Sequence, residues 1–162
     1  MKSKRVATYG LLVALAFILS YIESLFPLSL AIPGIKLGLA NLVVITALYK
    51  MGVKEAFVLS VIRIILVGFT FGNPSMMMFS LVGGLLSCIL MVIFKKSKLF
   101  SMVGVSIIGG IAHNIGQIVV AILVVDNIDI IYYLPFLLIF GVIMGAVIGI
   151  LATIIIKRLK TM

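Results

Sequence analysis

Acidic residues are nearly missing from this sequence: of 162 residues only Glu23, Glu55, Asp126 and Asp129 carry a carboxyl side chain. That scarcity excludes several chemistries. Prenyl-diphosphate condensation needs clustered carboxylates to hold magnesium on the diphosphate, because that ion takes hard oxygen ligands. The one close acidic pair lies in "DNID" at 126–129, and no second acidic motif accompanies it. An acid/base pair for proton transfer is equally hard to assemble from four carboxyls. No segment matches G-x-x-x-x-G-K-[ST], so no nucleotide-binding loop is expected. The chain is therefore not expected to be an enzyme or to hydrolyse ATP by itself. The lone cysteine, Cys88, can form no internal disulfide and says nothing about redox compartment. The lone histidine, His113, without cysteines or clustered carboxylates, makes no metal site, and no cofactor is expected. Tandem repeats and low-complexity segments are missing too.

Apolar surface is what the chain has in excess. Hydrophobic residues make up 64% and charged residues 10%, and the mean hydropathy is +1.44. Soluble domains are about 45–50% apolar and about 25% charged. A chain this short cannot hide so much apolar surface in a core bathed by water. Lipid is the expected solvent for most of it, and the length suits a single membrane domain. Net charge is +9. Its basic residues fall in short clusters between apolar runs, the pattern of cytoplasmic membrane loops, and no nucleic-acid partner is needed to explain them. Residues 1–5 followed by an apolar run resemble a signal-peptide start. No polar break with a small-residue cleavage site follows, so a retained first helix is expected.

Six candidate spans follow from the apolar runs: 6–26, 37–49, 54–71, 74–94, 99–125 and 132–156. A crossing helix needs about 20 apolar residues, fewer where other helices bury it. The loop "PLSLAIPGIK" at 27–36 is irregular because of Pro27, Pro33 and Gly34. Pro74 suits the first turn of the fourth helix. Of the 13 basic residues all but Lys36 and Arg63 gather at one set of helix ends, in 2–5, 50–54, 95–98 and 157–160. The positive-inside rule makes that side cytoplasmic. Both termini then face the cytoplasm, which agrees with an even number of spans. The expected fold class is an all-α integral membrane protein, a bundle of six transmembrane helices in the cell (plasma) membrane.

Helical rise places the remaining polar groups by depth. Arg63 lies nine residues after Lys54, about 13 Å into the membrane. Glu23 lies about 27 Å along the first helix from Arg5, near the outer side. His113 lies about 21 Å past Leu99, with Gln117 one turn beyond it on the same helix face. Asn114 points about 100° away and is free to bond a neighbouring helix. Glu23, Lys36, Asn41, Asn73 and Gln117 are all expected in the outer half, with Arg63 and His113 just beneath. Ionisable groups inside a span are costly, face the bundle interior and usually find a partner. Glu23 and Arg63 are of opposite sign and suited to pairing. Two readings stand. The polar residues are interhelical glue, or they line a ligand pocket open to the outside. Their clustering at one depth favours the pocket.

Small residues make a second pattern. Gly10 and Ala14 form a small-xxx-small pair on the first helix, Ala16 and Ser20 another, and Gly141, Gly145 and Gly149 a ridge on the last. Such ridges serve either internal packing or docking of another membrane protein. Gly83–Gly84 and Gly109–Gly110 are expected at close helix crossings. The methionines at 76–78 are expected to be adaptable apolar lining.

The segments "PGIKLGLANLVVITALY" (33–49), "RIILVGFTFG" (63–72), "FSLVGGLLS" (79–87) and "AHNIGQ" (112–117) together resemble the Gx transporter family, also catalogued as heptaprenyl diphosphate synthase component I. That family is similar to the substrate-binding S components of energy-coupling factor (ECF) vitamin transporters. The resemblance implies a six-helix bundle with an outward-facing site. It also implies docking onto a membrane coupling subunit through small residues of the first helix, with paired ATPases supplying energy. Gly10 and Ala14 stand at the matching position. The alternative catalogue name implies isoprenoid- or quinone-related enzymes as partners. The expected function is membrane-embedded binding and uptake of a small or amphiphilic substrate, possible isoprenoid or quinone relatives included. The site residues are Glu23, Lys36, Asn41, Arg63, His113, Asn114 and Gln117. Arg63 and Lys36 would neutralise an anionic group; the amides would orient it. The alternative is a non-catalytic membrane subunit supporting prenyl-diphosphate or quinone-linked metabolism.

Overall fold

The computed structural model describes residues 2–25 and 38–160. The expected loop at 27–36, Lys36 and the last residue of the first expected span lie outside the described residues. Within them the fold is all helical: α1 (Lys2–Leu25), α2 (Leu39–Lys50), α3 (Val53–Phe71), α4 (Pro74–Ser97), α5 (Met102–Val125) and α6 (Leu134–Lys160), with a 3₁₀ helix, Ile128–Tyr133, leading into α6.

Local chemistry fixes the helix ends. Asn73 caps α4 by accepting from the Met76 N–H at 2.7 Å, with Pro74 in the first turn where no amide is missed. Ser101 caps α5, accepting from the Gly104 N–H at 3.2 Å. The turn between α2 and α3 is made possible by Gly52, whose φ of 130° is open to glycine but strained for other residues.

Four segments are long and apolar enough to cross a membrane: Val6–Leu25, Pro74–Ser97, Met102–Val125 and Ile128–Arg158. The other two helices differ for physical reasons. α3 carries Lys54, Glu55 and Arg63 within its 19 residues. α2 has 12 residues, and at 1.5 Å each this is about 18 Å, short of a bilayer core of about 30 Å. α2 is nonetheless the most enclosed helix. Ala40 and every residue from Val43 to Leu48 are buried, and it is apolar on all sides. It packs against α1, α3 and α6.

The bundle divides into two groups. α1 and α3 flank α2, while α5 lies between α4 and α6 and makes the most extensive helix contacts in the molecule. The main core cluster joins the groups, with Val44, Leu48, Leu59, Met91, Val105 and Ile148 among its buried members. The opposite surfaces are apolar and open: Leu11, Ile18, Phe69, Leu123, Phe136 and Ile139 are all exposed. A soluble monomer rarely shows such continuous apolar area, whereas a lipid-facing bundle needs it. Lipid gives little hydrophobic drive between helices, so close packing must hold them.

Glycine provides that packing around α5. A Cβ added at Gly110 would lie 2.6 Å from the Gly141 carbonyl oxygen, and one at Gly145 would lie 2.7 Å from the Ile107 Cα. The Gly141–Gly145–Gly149 ridge thus faces inward, onto α5. On the other side of α5, a Cβ at Gly116 would lie 2.8 Å from the Gly83 Cα. Gly83–Gly84 and Gly109–Gly110 do sit at close crossings. The two small-residue pairs of α1 face opposite ways. Ala16 and Ser20 are buried, with the Ser20 hydroxyl donating to the Ala16 carbonyl at 2.9 Å. Gly10 and Ala14 are exposed, and nothing lies within 4 Å of a Cβ built on Gly10.

Candidate ligand cavity

A cavity of about 60 Å³ lies between the two helix groups. At about 10–15 Å³ per water, that is room for roughly four to six waters or one compact polar group. All six helices reach it: Glu23 from α1, Asn41 from α2, Arg63 from α3, Ser80 and Ser87 from α4, Ser106, His113 and Asn114 from α5, and Met144 and Ile148 from α6. On α5 the lining residues 106, 109, 110, 113 and 114 follow helical spacing and form one face. Glycines 109, 110, 141 and 145 let the walls come close without side chains filling the space.

Arg63 is the main cation of the cavity. Its guanidinium donates from Nη2 to Asn41 Oδ1 at 3.4 Å, a long bond. The buried Nε has no hydrogen-bond partner among the described residues. An arginine has five N–H donors in a planar fork, so most of this donor capacity is uncommitted within the described chain. Glu23 is tied down differently. Its Oε1 accepts from the Gly38 N–H at 2.7 Å, linking the end of α1 to the start of α2. Gly38 has φ of 71°, and a Cβ there would also press on the Ile148 Cδ1 at 3.3 Å. The expected Glu23–Arg63 pairing takes a looser form. The carboxylate acts on Arg63 electrostatically, and both line the cavity, but no hydrogen bond joins them among the described residues.

His113 is buried midway along α5 and borders the cavity. α4 crosses it there: a Cβ at Gly83 would come within 2.7 Å of the His113 carbonyl oxygen and 3.2 Å of its Nδ1. Asn114 both borders the cavity and donates from Nδ2 to the Leu137 carbonyl of α6 at 2.6 Å. Gln117 continues the same face of α5 one turn beyond the cavity and is not part of its wall. It is buried beside Gly83, and its Oε1 has no hydrogen-bond partner among the described residues.

Five of the seven expected site residues therefore meet at one cavity: Glu23, Asn41, Arg63, His113 and Asn114. Gln117 lies just outside it, and Lys36 lies outside the described residues. Sequence reading passed over Ser80, Ser87 and Ser106. The available signal was spacing: Ser80 and Ser87 are seven residues apart, two helical turns, and bracket Gly83–Gly84 on one face. Among the described residues no group of three or more His, Cys, Asp or Glu side chains is placed to hold a metal.

The cavity can therefore hold one compact polar group between a guanidinium and a carboxylate, with amides and hydroxyls around it. Against this geometry, comparison with known proteins gives one match: the family model of heptaprenyl diphosphate synthase component I, over residues 12–155. The chain belongs to that family. No curated protein and no solved structure matches it. For the heptaprenyl diphosphate synthase component I family, the match takes in α1 from residue 12, all of α2 to α5, α6 as far as residue 155, and all of the described cavity residues. It thus embraces both the membrane-type helices and the polar chamber between them.

Proposed function

We propose that this protein is a membrane-embedded binding component, similar in design to ECF S components, which takes up a small or amphiphilic ligand with the help of partner proteins. The observation that carries this reading is Arg63. A guanidinium inside an apolar bundle is costly unless it serves a partner, and here its described hydrogen bonding amounts to one 3.4 Å contact with Asn41. Glu23, Asn41, Arg63, His113 and Asn114 form the binding wall, and Lys36, outside the described residues, is the second cation proposed for the ligand. Gln117 braces the α4–α5 crossing above the ligand. In this reading all six helices lie in the plasma membrane, α2 reaching only partway across it, and the basic helix ends support cytoplasmic termini.

The exposed Gly10–Ala14 face of α1 supports docking of a coupling subunit, with ATPases driving the cycle. Native mass spectrometry of the purified protein tests the binding reading. A small molecule retained by the wild type and lost in Arg63→Ala is the expected result. An empty wild-type protein removes the reading.

A second reading is favoured by the family description: a non-catalytic membrane subunit that serves a prenyl-diphosphate-forming or quinone-linked enzyme. It predicts an empty cavity in native mass spectra and a stable complex with a synthase subunit in gentle detergent.

A further inference from the structure

The cavity holds one charge of each sign among the described residues, and each has capacity left over. Glu23 uses Oε1 on the Gly38 N–H at 2.7 Å, and a carboxylate carries a second oxygen with further acceptor sites. Arg63 uses Nη2 on Asn41, while its Nε has no partner among the described residues. We propose that the group bound here is a compact zwitterion: one anionic and one cationic group on a short spacer, the anion on Arg63 and the cation on Glu23. This rests on the binding reading above and narrows it to a ligand class.

The charge ledger excludes the simpler alternatives. The half-buried Glu23 carboxylate and the Arg63 guanidinium face one cavity with no hydrogen bond between them among the described residues, and a ligand group of opposite charge serves each best. A purely anionic ligand satisfies Arg63 but sets like charges against each other at Glu23. A diphosphate does so more severely. It brings several negative charges to a cavity with one cation among the described residues, and no acidic cluster among them would hold the magnesium that usually accompanies it. A purely cationic ligand leaves Arg63 unneutralised. A neutral polyol finds hydrogen bonds but neutralises neither charge. A zwitterion neutralises both. The neighbouring amides fit this polarity. Asn41 Oδ1 accepts from Arg63, which leaves its amide nitrogen to donate to an anion. Asn114 commits Nδ2 to Leu137, which leaves its oxygen to accept from a cation. The cavity volume of about 60 Å³ limits the enclosed part to a few heavy atoms.

Titration calorimetry on the full chain in lipid nanodiscs tests this with a ruler series. Glycine, β-alanine and 4-aminobutyrate vary the charge separation; butyrate lacks the cation, butylamine lacks the anion, and inorganic pyrophosphate carries several anions. One amino acid of the series is expected to bind about tenfold or more tightly than butyrate, butylamine and pyrophosphate. Glu23→Gln should reduce that amino acid to the level of butyrate, and Arg63→Gln should reduce it to the level of butylamine. Glu23→Asp, which keeps the charge one methylene further back, should shift the preference to the next longer spacer; it stands in should Glu23→Gln fail to fold. Butyrate or pyrophosphate binding as tightly as the best amino acid overturns the zwitterion assignment and leaves the binding reading intact. An unchanged preference in both Glu23 variants does the same. If no member binds, a small molecule retained by the wild type in native mass spectra refutes the zwitterion alone, whereas an empty protein removes the binding reading with it.

Discussion

Asn114 donates from Nδ2 to the carbonyl oxygen of Leu137 at 2.6 Å, across the interface of α5 and α6. Gly141 makes the contact possible, because a Cβ there would sit 2.8 Å from that same Nδ2. One residue's missing side chain is the space another residue's amide occupies. Asn114→Ala should lower stability by about 1 kcal/mol, the range of interhelical hydrogen bonds in membranes. Gly141→Ala should cost more, since it displaces Asn114 and presses on the α5 backbone. The double variant should fall short of the sum of the two, because the shorter side chain at 114 makes room for the new methyl. Unfolding from mixed micelles by a denaturing detergent measures all three; strict additivity would separate the two residues.

Glycines elsewhere divide into those that pack and those that do not. Gly110→Ala should cost about 1–3 kcal/mol, as overpacking does, because its Cβ would meet the Gly141 carbonyl oxygen at 2.6 Å. Gly10→Leu should leave stability within about 0.5 kcal/mol, since the space around it is open. The transport reading adds a second expectation for Gly10→Leu. Co-purification of a coupling subunit with ATPases should weaken while the fold is kept. Intact association would remove docking through this face.

The legible part of the site was the part with charge or amides. Arg63, Glu23, Asn41, His113 and Asn114 stand out because ionisable and amide groups in apolar helices need a reason to be there. Ser80, Ser87 and Ser106 did not stand out, because a hydroxyl in a helix often bonds its own backbone. Ser20 to the Ala16 carbonyl at 2.9 Å and Thr46 to the Leu42 carbonyl at 2.7 Å do so here. Gln117 had the right face, but its distance from the cavity depends on where α4 crosses at Gly83, which one helix's periodicity cannot give. The short second helix was visible in the run at 37–49. Its central position was not, since that depends on which helices gather around it. Small-residue spacing alone left open whether the Gly141 ridge pointed inward; the fit of Gly145 on the Ile107 backbone decides it.

Lys95 fastens the far end of α2. Its ammonium donates to the Leu48 carbonyl at 2.6 Å and stands 4.7 Å from the centre of the Tyr49 ring. Leu48 is in the last turn of α2, where carbonyls lack helical partners. Lys95→Met keeps the apolar stem and removes the charge. It should cost about 1–2 kcal/mol, combining a charged hydrogen bond with a cation–π contact. Hydrogen exchange should rise in the last turn of α2 and stay unchanged in α5. Equal protection in the variant would mean that burial alone holds α2.

Arg63 separates charge from shape in recognition. Arg63→Lys keeps the positive charge but loses the planar fork and the reach to Asn41. If the fork holds a ligand's anion through two parallel bonds, the lysine variant should lose affinity by about tenfold, as one charge-assisted bond is worth about 1.5–3 kcal/mol. Arg63→Gln should lose more, since it also leaves the field of Glu23 unopposed in the cavity. Stability should change less than affinity. Removing a lightly bonded guanidinium relieves its desolvation but leaves the Glu23 carboxylate without its opposite charge, and these two effects oppose each other in the absence of ligand. Paired measurements of ligand affinity and unfolding distinguish this from a structural arginine. A structural role predicts that stability falls first and binding follows it.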